Sequence, residues 1–198
     1  MIVWLDIGLG ESEQRLLQHA DWAAEVRVSK ELKWVERAES IILSPQLPFA
    51  EVMKELARHK LTNHLRQCDR NTQSLLAVGV GMEVLFSHGG EYNDQRGLHL
   101  FAGEVQHKEG LNEPSWHSLK LLDPDPMLWG LQEKQIYRSL RHQVFPANRE
   151  DIVAVWDQGE QSAAVVRRRQ IWGIQPTLQQ GEFSTLFVAR FINQCKVG

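Results

Sequence analysis

The chain has 198 residues, a length typical of one domain with a sizeable hydrophobic core. A composition of 42% hydrophobic and 24% charged residues is that of an ordinary folded protein and excludes a disordered or collagenous chain. The formal net charge of −3 gives no strong field toward nucleic acid or an anionic membrane, so neither is expected as a partner. We therefore predict a single domain over residues 1–198.

The cysteines and the N-terminal sequence indicate the cellular compartment of the protein. Cys68 and Cys195 form neither a CxxC motif nor a metal-ligand spacing, and free thiols suit a reducing environment. The N-terminal sequence lacks the basic region of a secretory signal, and no apolar run approaches the roughly 18 residues of a membrane span. These features predict a cytoplasmic protein.

Short apolar runs alternate with helical patterns over residues 1–90. Such alternation predicts right-handed βαβ units on a parallel sheet. Strands are predicted at Met1–Asp6, Ala24–Val28, Ser40–Leu43 and Ser74–Val78. Helices are predicted from Ser12, at Phe49–Cys68 with a break at 60–62, and at Met82–Phe86.

The second half of the chain favours short strands with turn residues between them. It follows a polar, glycine-rich loop predicted at Gly89–Gly97. The strands are predicted at Gly103–Gln106, Ser115–Leu121, Gln135–Leu140, Ile152–Trp156, Ala163–Arg168 and Ile171–Ile174. An amphipathic helix, Phe183–Ile192, closes the chain.

The segment Ser74–Phe86, SLLAVGVGMEVLF, is the most informative one. A buried strand that passes through a sharp, glycine-flanked turn into a helix presents one side chain at the C-terminal edge of a parallel sheet. There it meets the positive helix N-terminus, as a nucleophile requires. The residue at this turn is Gly79, which has no side chain and adopts positive φ without strain.

The chain resembles the class I glutamine amidotransferases, in six segments that follow the family's order and spacing over nearly the whole length. Within the family it is most similar to the HisH-type glutaminase subunit of imidazole glycerol phosphate synthase, an enzyme of histidine biosynthesis. The resemblance implies a flavodoxin-like three-layer α/β sandwich with a central, mostly parallel sheet and added antiparallel strands in the second half. The segments are MIVWLDIGLG, IILSPQLPF, LLAVGVGMEVLF, GLHLFAGEV, SWH and IWGIQPTLQ.

The residues at the family's catalytic positions are replaced. Members hydrolyse glutamine with a Cys-His-Glu triad and pass ammonia to a barrel-shaped cyclase subunit. The resemblance places the cysteine at Gly79, the histidine at Thr177 and the glutamate at Gln179. The vestigial oxyanion loop falls on Gln46, Leu47 and Pro48, where two glycines are lost and Pro48 has no N–H to donate.

The rest of the expected pocket also departs from the family. Glu83 replaces a glutamine-contacting Gln, and a substrate-holding HSY stretch falls on Leu140, Arg141 and His142. His59 and His64 lie on either side of the predicted helix break, a poor arrangement for a metal. We expect neither a metal site nor a cofactor.

Three interpretations of the function remain open from the sequence. The first is a non-catalytic pseudoenzyme that binds a HisF-like cyclase barrel subunit or another protein. Glu11 and Trp116 would form the partner face, because Trp116 lies where the family carries a Gly-Trp-Asn motif near the subunit contact and aromatic residues are enriched at interface centres. The second is an enzyme with a pocket rebuilt from Glu83, Arg141 and His142 for another small substrate. A synthase subunit with little or no glutaminase activity is a third interpretation.

Overall fold

A computed structural model of the chain describes residues 1–68, 70, 73–89, 95–107, 113–138, 141–157, 162–180 and 182–195. In these ranges no helix is both long enough and apolar enough to cross a membrane. The helices are α1 Glu11–His19, α2 Leu32–Val35, α3 Phe49–Arg58, α4 Leu61–Leu65, α5 Val80–Glu83 and α6 Glu182–Gln194. The strands of the first half are β1 Ile2–Leu5, β2 Val26–Ser29, β3 Ser40–Leu43, β4 Ser74–Val78, β5 Phe86–Gly89, β6 Gln95–Arg96 and β7 Phe101–His107. Those of the second half are β8 Ser115–His117, β9 Leu119–Leu121, β10 Ile136–Arg138, β11 His142–Pro146, β12 Ile152–Trp156, β13 Ala163–Arg168 and β14 Ile171–Ile174.

The main sheet has the strand order β2-β1-β3-β4-β14-β13-β12-β9 in the described part of the chain. The pairs from β2 through β14 are parallel, and those from β14 through β9 are antiparallel. The sheet is therefore parallel where the first half of the chain builds it and antiparallel where the second half extends it, which confirms the predicted fold class.

Both faces of this sheet are covered. Alternate residues of a strand point to opposite faces, so Ile41 packs with α3 and α4 on one side while Ile42 packs with α6 on the other. Phe183, Phe187 and Phe191 give α6 its buried stripe. Helices, sheet and helices form the three layers, and the turn after β4 lies at the C-terminal edge of the parallel strands.

The predicted helix Met82–Phe86 is wrong. The helix is the single turn α5, and Phe86 already begins β5. Val84 and Leu85 are both fully buried, so burial in this segment does not follow the pattern of a helix with one buried face. Their carbonyl oxygens instead accept hydrogen bonds from the backbone N–H groups of Leu98, at 2.7 Å, and Leu100, at 2.8 Å.

Other elements differ from expectation in extent. Ser115–Leu121 is two strands in different sheets, because β8 pairs with β10 while β9 joins the main sheet beside β12. The second strand starts at Val26, after a 3-10 turn at Ala23–Glu25. Residues 95–96 of the predicted loop form β6, and its residues 90–94 lie outside the described ranges. Neither α2 nor β11, the strand that carries His142, was predicted from local pattern.

Candidate functional site

The turn between β4 and α5 has the geometry that the sequence predicts. Gly79 has φ +62° and ψ −125°, and its backbone N–H donates to the carbonyl oxygen of Ile174 over 2.8 Å. A Cβ added at Gly79 would lie 2.8 Å from Cγ2 of Thr177, closer than real Cβ contacts come. The backbone bend is retained while the methyl group of Thr177 occupies the space beside it.

Thr177 and Gln179 differ in their surroundings. Thr177 is half-buried and lines a cavity, whereas Gln179 is exposed. A Cβ added at Gly10 would lie 3.5 Å from Nε2 of Gln179, so this amide borders the loop after β1. The structure brings Thr177 against Gly79.

The loop after β3 is held by hydrogen bonds to the first loop and to α1. The backbone N–H of Gln46 donates to the carbonyl oxygen of Gly8 over 2.8 Å. Its side-chain Nε2 donates to Oε1 of Glu13 over 2.8 Å, and Oε2 of Glu13 accepts from the N–H of Gly10 over 3.1 Å. Pro48 is the N-cap of α3. The carboxylate of this network, Glu13, is fully buried and was not among the predicted site residues, although its place three residues after a helix N-cap is a recognisable capping signal.

Glu83 and His142 are in direct contact. Nδ1 of His142 lies 3.0 Å from Oε2 and 3.2 Å from Oε1 of Glu83, and Glu83 is 4% exposed. This contact with the carboxyl group of Glu83 orients the ring of His142. The structure therefore joins two of the three residues predicted for a rebuilt pocket.

A buried polar network continues behind this pair. Nε2 of Gln175 donates to the carbonyl oxygen of His142 over 2.7 Å, and Nε1 of Trp156 donates to Oε1 of Gln175 over 2.8 Å. The guanidinium of Arg138 lies 4.8 Å from the centre of the Trp156 ring. Burial lowers the pKa of Arg138 to about 10, and the charge of Glu83 opposes this shift. The network fixes the wall that carries His142.

A cavity of about 420 Å³ opens at this edge of the sheet. Its walls are largely apolar, with a few polar groups from separate loops, which is the usual character of small-molecule sites. Arg141 is exposed on its wall, and Leu140 lies outside the described residues. The lining residues are Pro45, Gln46, Leu47, Pro48, Phe49, Ala50, Val80, Gln95, Arg141, His142 and Thr177.

Neither cysteine lines the cavity. Cys68 is fully buried after α4, and this burial raises the pKa of its thiol to about 12. Cys195 accepts a hydrogen bond from the Ser40 hydroxyl over 2.9 Å, and burial raises its pKa as well. Raised pKa values disfavour the thiolate, which is the nucleophilic form.

The predicted partner face is exposed. Glu11 begins α1 on the surface. The Trp116 side chain is 60% exposed and its ring lies 5.2 Å from that of Tyr137, which is itself exposed. Two adjacent exposed aromatic rings form an apolar patch, which is characteristic of interaction surfaces.

The histidine pair considered for a metal has other contacts. Nε2 of His59 lies 3.5 Å from Oε2 of Glu55, and Nε2 of His64 lies 2.7 Å from Oε1 of Gln73. Within the described ranges, no group of three His, Cys, Asp or Glu side chains is placed to hold a metal ion.

Comparison with solved structures defines the fold of the protein. A structure described as a glutamine amidotransferase superposes with a TM-score of 0.74 at 11% identity, over 100% of this chain and 99% of the other. PurLQS from Thermotoga maritima superposes with a TM-score of 0.65 at 14% identity, over 98% and 97% of the two chains. The protein has the class I glutamine amidotransferase fold.

Sequence comparison shows which amidotransferases the chain is similar to. Imidazole glycerol phosphate synthase subunit HisH of Geobacillus kaustophilus is 28% identical over 150 residues, 71% of each chain. Subunit HisH of Streptococcus sanguinis is 25% identical over 183 residues, 88% of this chain and 86% of the relative. No protein-family model matches. The chain is thus a class I glutamine amidotransferase homologue similar to HisH, as its motifs predict.

Proposed function

We propose that this protein is a HisH-like amidotransferase homologue without glutaminase activity that acts by binding another protein. The observation that carries the proposal is the turn at Gly79, where the backbone of a nucleophile elbow is present without a nucleophile. The sequence resemblance assigns Thr177 and Gln179 to the positions of the family's histidine and glutamate. A hydroxyl group and an amide cannot serve as the base and the carboxylate that activate a nucleophile.

The loop after β3 supports the same proposal. The N–H of Gln46 is already donated to Gly8, and Pro48 has no N–H. Oxyanion stabilisation needs backbone N–H groups directed at the reacting carbonyl. The buried Glu13 keeps the Gln46 side chain in place, which favours the present arrangement of the loop over one that turns amides inward.

A glutaminase assay tests the first part of the proposal. We expect no glutamine hydrolysis above the protein-free rate, with or without a HisF-like cyclase subunit. A HisH with an intact triad, assayed with the same barrel, is the positive control. A cyclase-dependent rate that one substitution in this chain abolishes would contradict the proposal.

The partner part of the proposal rests on the exposed pair Trp116 and Tyr137 and on the HisH-like sequence. We propose a HisF-like barrel, or another protein of the same cell, as the partner, contacted through Trp116 and Glu11. If Trp116 is an interface anchor, Trp116→Ala weakens the complex by at least about tenfold. Trp129→Ala is the matched control, because Trp129 is equally exposed at 64% outside this patch. Equal effects of the two substitutions on the dissociation constant would remove Trp116 from the interface.

The contact between Glu83 and His142 favours a second candidate, an enzyme or receptor with a rebuilt pocket. A carboxylate-oriented histidine in a cavity wall is a common arrangement for acid–base chemistry and ligand binding. A thermal-shift screen with amino acids, phosphorylated sugars and nucleotides tests it. A ligand that raises the melting temperature in the native chain but not in Arg141→Ala supports this candidate, and the absence of any shift counts against it.

A further inference from the structure

The exposed pair Trp116 and Tyr137 lies on a small sheet of its own. In the described part of the chain this sheet consists of β8 and β10 alone, and Trp116 stands opposite Tyr137 in their register. A two-stranded sheet is marginally stable in water unless one of its faces packs against the rest of the protein. The position of the two exposed rings therefore depends on what holds the opposite face of the sheet.

Trp156 of β12 contacts that opposite face. The buried residues of the two strands are His117, Ile136 and Arg138. The His117 ring lies 5.8 Å from the Trp156 ring, and the Arg138 guanidinium lies 4.8 Å from the centre of the same ring. Ile136 belongs to the same hydrophobic cluster as Trp156. Two of the three side chains that attach the small sheet to the protein therefore carry or can acquire a positive charge.

The described groups around His117 compensate a positive charge on its ring poorly. His117 is 3% exposed, and its Nε2 lies 2.8 Å from Oγ of Ser115 on its own strand. After β12, Oδ1 of Asp157 lies 3.8 Å from Nδ1, beyond hydrogen-bond distance, and Oδ2 of Asp157 accepts from the Ser118 hydroxyl. Burial lowers the pKa of His117 most, Asp157 opposes the shift, and the charge of Arg138 on β10 adds to it. The ring is therefore neutral above pH 6.5.

We propose that protonation of His117 releases the sheet of β8 and β10 from Trp156 and so removes the face that Trp116 and Tyr137 form. A buried histidine of this kind biases a local two-state equilibrium toward the open form in acid. The opening ends at Ser118, because β9 begins at the next residue and pairs with β12 in the main sheet. The inference rests on the proposed function, in which Trp116 contacts the partner, and adds that this contact is lost as the pH falls.

The direction of the effect follows from proton binding. In the released sheet His117 is hydrated and has its ordinary pKa of 6.5, whereas in the packed sheet its pKa is lower. The open form therefore binds the proton more tightly, and the open fraction rises as the pH falls below 6.5. Between about pH 7.5 and about pH 5.5 the opening equilibrium is expected to increase by about three- to tenfold.

Hydrogen exchange of the chain without a partner, followed by mass spectrometry, tests the proposal. Exchange is measured at the same two pH values and divided by the intrinsic rate at each pH, so that it reports the opening equilibrium. We expect the corrected exchange of peptides that contain β8 and β10 to rise about three- to tenfold at the lower pH, and that of β14 inside the main sheet to stay within about twofold. Equal corrected exchange at the two pH values, or an equal rise in β14, overturns the proposal.

Three variants identify the group that takes up the proton. His117→Gln keeps an uncharged polar side chain and is expected to abolish the rise, whereas the exposed His19→Gln keeps it. Asp157→Asn removes a carboxylate that opposes the pKa shift, so its rise is expected to be at least as large as in the native chain. A rise that persists in His117→Gln contradicts the proposal. If His117→Gln does not fold, Asp157→Asn decides, and a smaller rise in that variant contradicts the proposal.

Partner binding is measured separately with a HisF-like barrel. The dissociation constant is expected to rise with the opening equilibrium at the lower pH in the native chain but not in His117→Gln, and an equal change in the two chains overturns the coupling. Absence of binding at the higher pH, where the sheet is packed, would contradict the proposed function. The exchange measurements use the chain alone and test only the release of the sheet, so the two failures are distinguishable.

Discussion

The two ends of α5 differ in chemistry although each contacts a residue that lines the same cavity. Gly79, before the helix, has no side chain and faces the methyl group of Thr177. Glu83, the last residue of the helix, is a buried carboxylate that holds the His142 ring. A turn that carries no side chain at one end can therefore have a buried polar contact one helical turn away, because the backbone bend depends on φ and ψ while the polar contact depends on tertiary partners.

Removal of the Glu83 carboxylate is expected to have the largest effect on stability. Glu83→Ala leaves the His142 ring and the nearby Arg138 without their buried anion, and breaking a buried pair costs about 3 kcal/mol. Urea unfolding followed by tryptophan fluorescence measures the change. Glu55→Ala, which removes a less buried carboxylate beside His59, is expected to cost less than about 1 kcal/mol. Similar losses in the two variants would show that the buried Glu83 carboxylate contributes no more to stability than the more exposed carboxylate of Glu55.

Addition of a side chain at Gly79 is expected to have the next largest effect. Gly79→Ala places a Cβ both at positive φ and against Thr177, for a loss of about 2 kcal/mol. Gly130→Ala is the matched control, because Gly130 has φ +73° with nothing within 4 Å of an added Cβ. It is expected to lose only about 1 kcal/mol.

The contact with Thr177 is isolated by a double substitution. Thr177→Ser removes Cγ2, so Gly79→Ala with Thr177→Ser is expected to recover about 1 kcal/mol relative to Gly79→Ala alone. Strictly additive free energies of unfolding would mean that Thr177 does not constrain the Gly79 end of α5.

The smallest expected effect is a pH dependence of the free energy of unfolding that arises from His117, a residue near Arg138. Burial lowers the pKa of His117 from its ordinary value of 6.5, with Asp157 opposing the shift. His117 therefore binds a proton more readily in the unfolded chain than in the folded one. The stability that is fully present above pH 6.5 decreases as the pH falls from 6.5 toward the lower pKa of the folded state. His117→Gln is expected to reduce this acid dependence, measured as the free energy of unfolding against pH, whereas the exposed His19→Gln leaves it unchanged. A persisting slope in His117→Gln would exclude His117 as its source.

Much of the fold could be predicted from local pattern. β3, β4, β12, β13 and β14 have the predicted bounds, because continuous apolar runs ending at turn residues define buried strands. The break near Lys60 is also confirmed, with φ +60° at that residue. The errors are short elements: α5 ends early and Ser115–Leu121 divides, since in both places the pairing of distant strands overrides local periodicity.

The candidate site could be predicted less completely. The contact between Glu83 and His142 joins residues 59 positions apart and depends on β11, which had no clear sequence pattern. Glu13 went unnoticed because an acidic residue in the first turn of a helix usually faces solvent, whereas here α1 turns it toward Gln46.

Residue type and spacing along the chain establish the order of most elements, the resemblance to HisH and the absence of a side chain at residue 79. Which polar groups meet depends on tertiary packing. Buried carboxylates at residues 13 and 83 need donors that come from distant loops, and the packing of α1, β11 and the loop after β3 supplies them. The character of the cavity wall is therefore a property of the packed molecule.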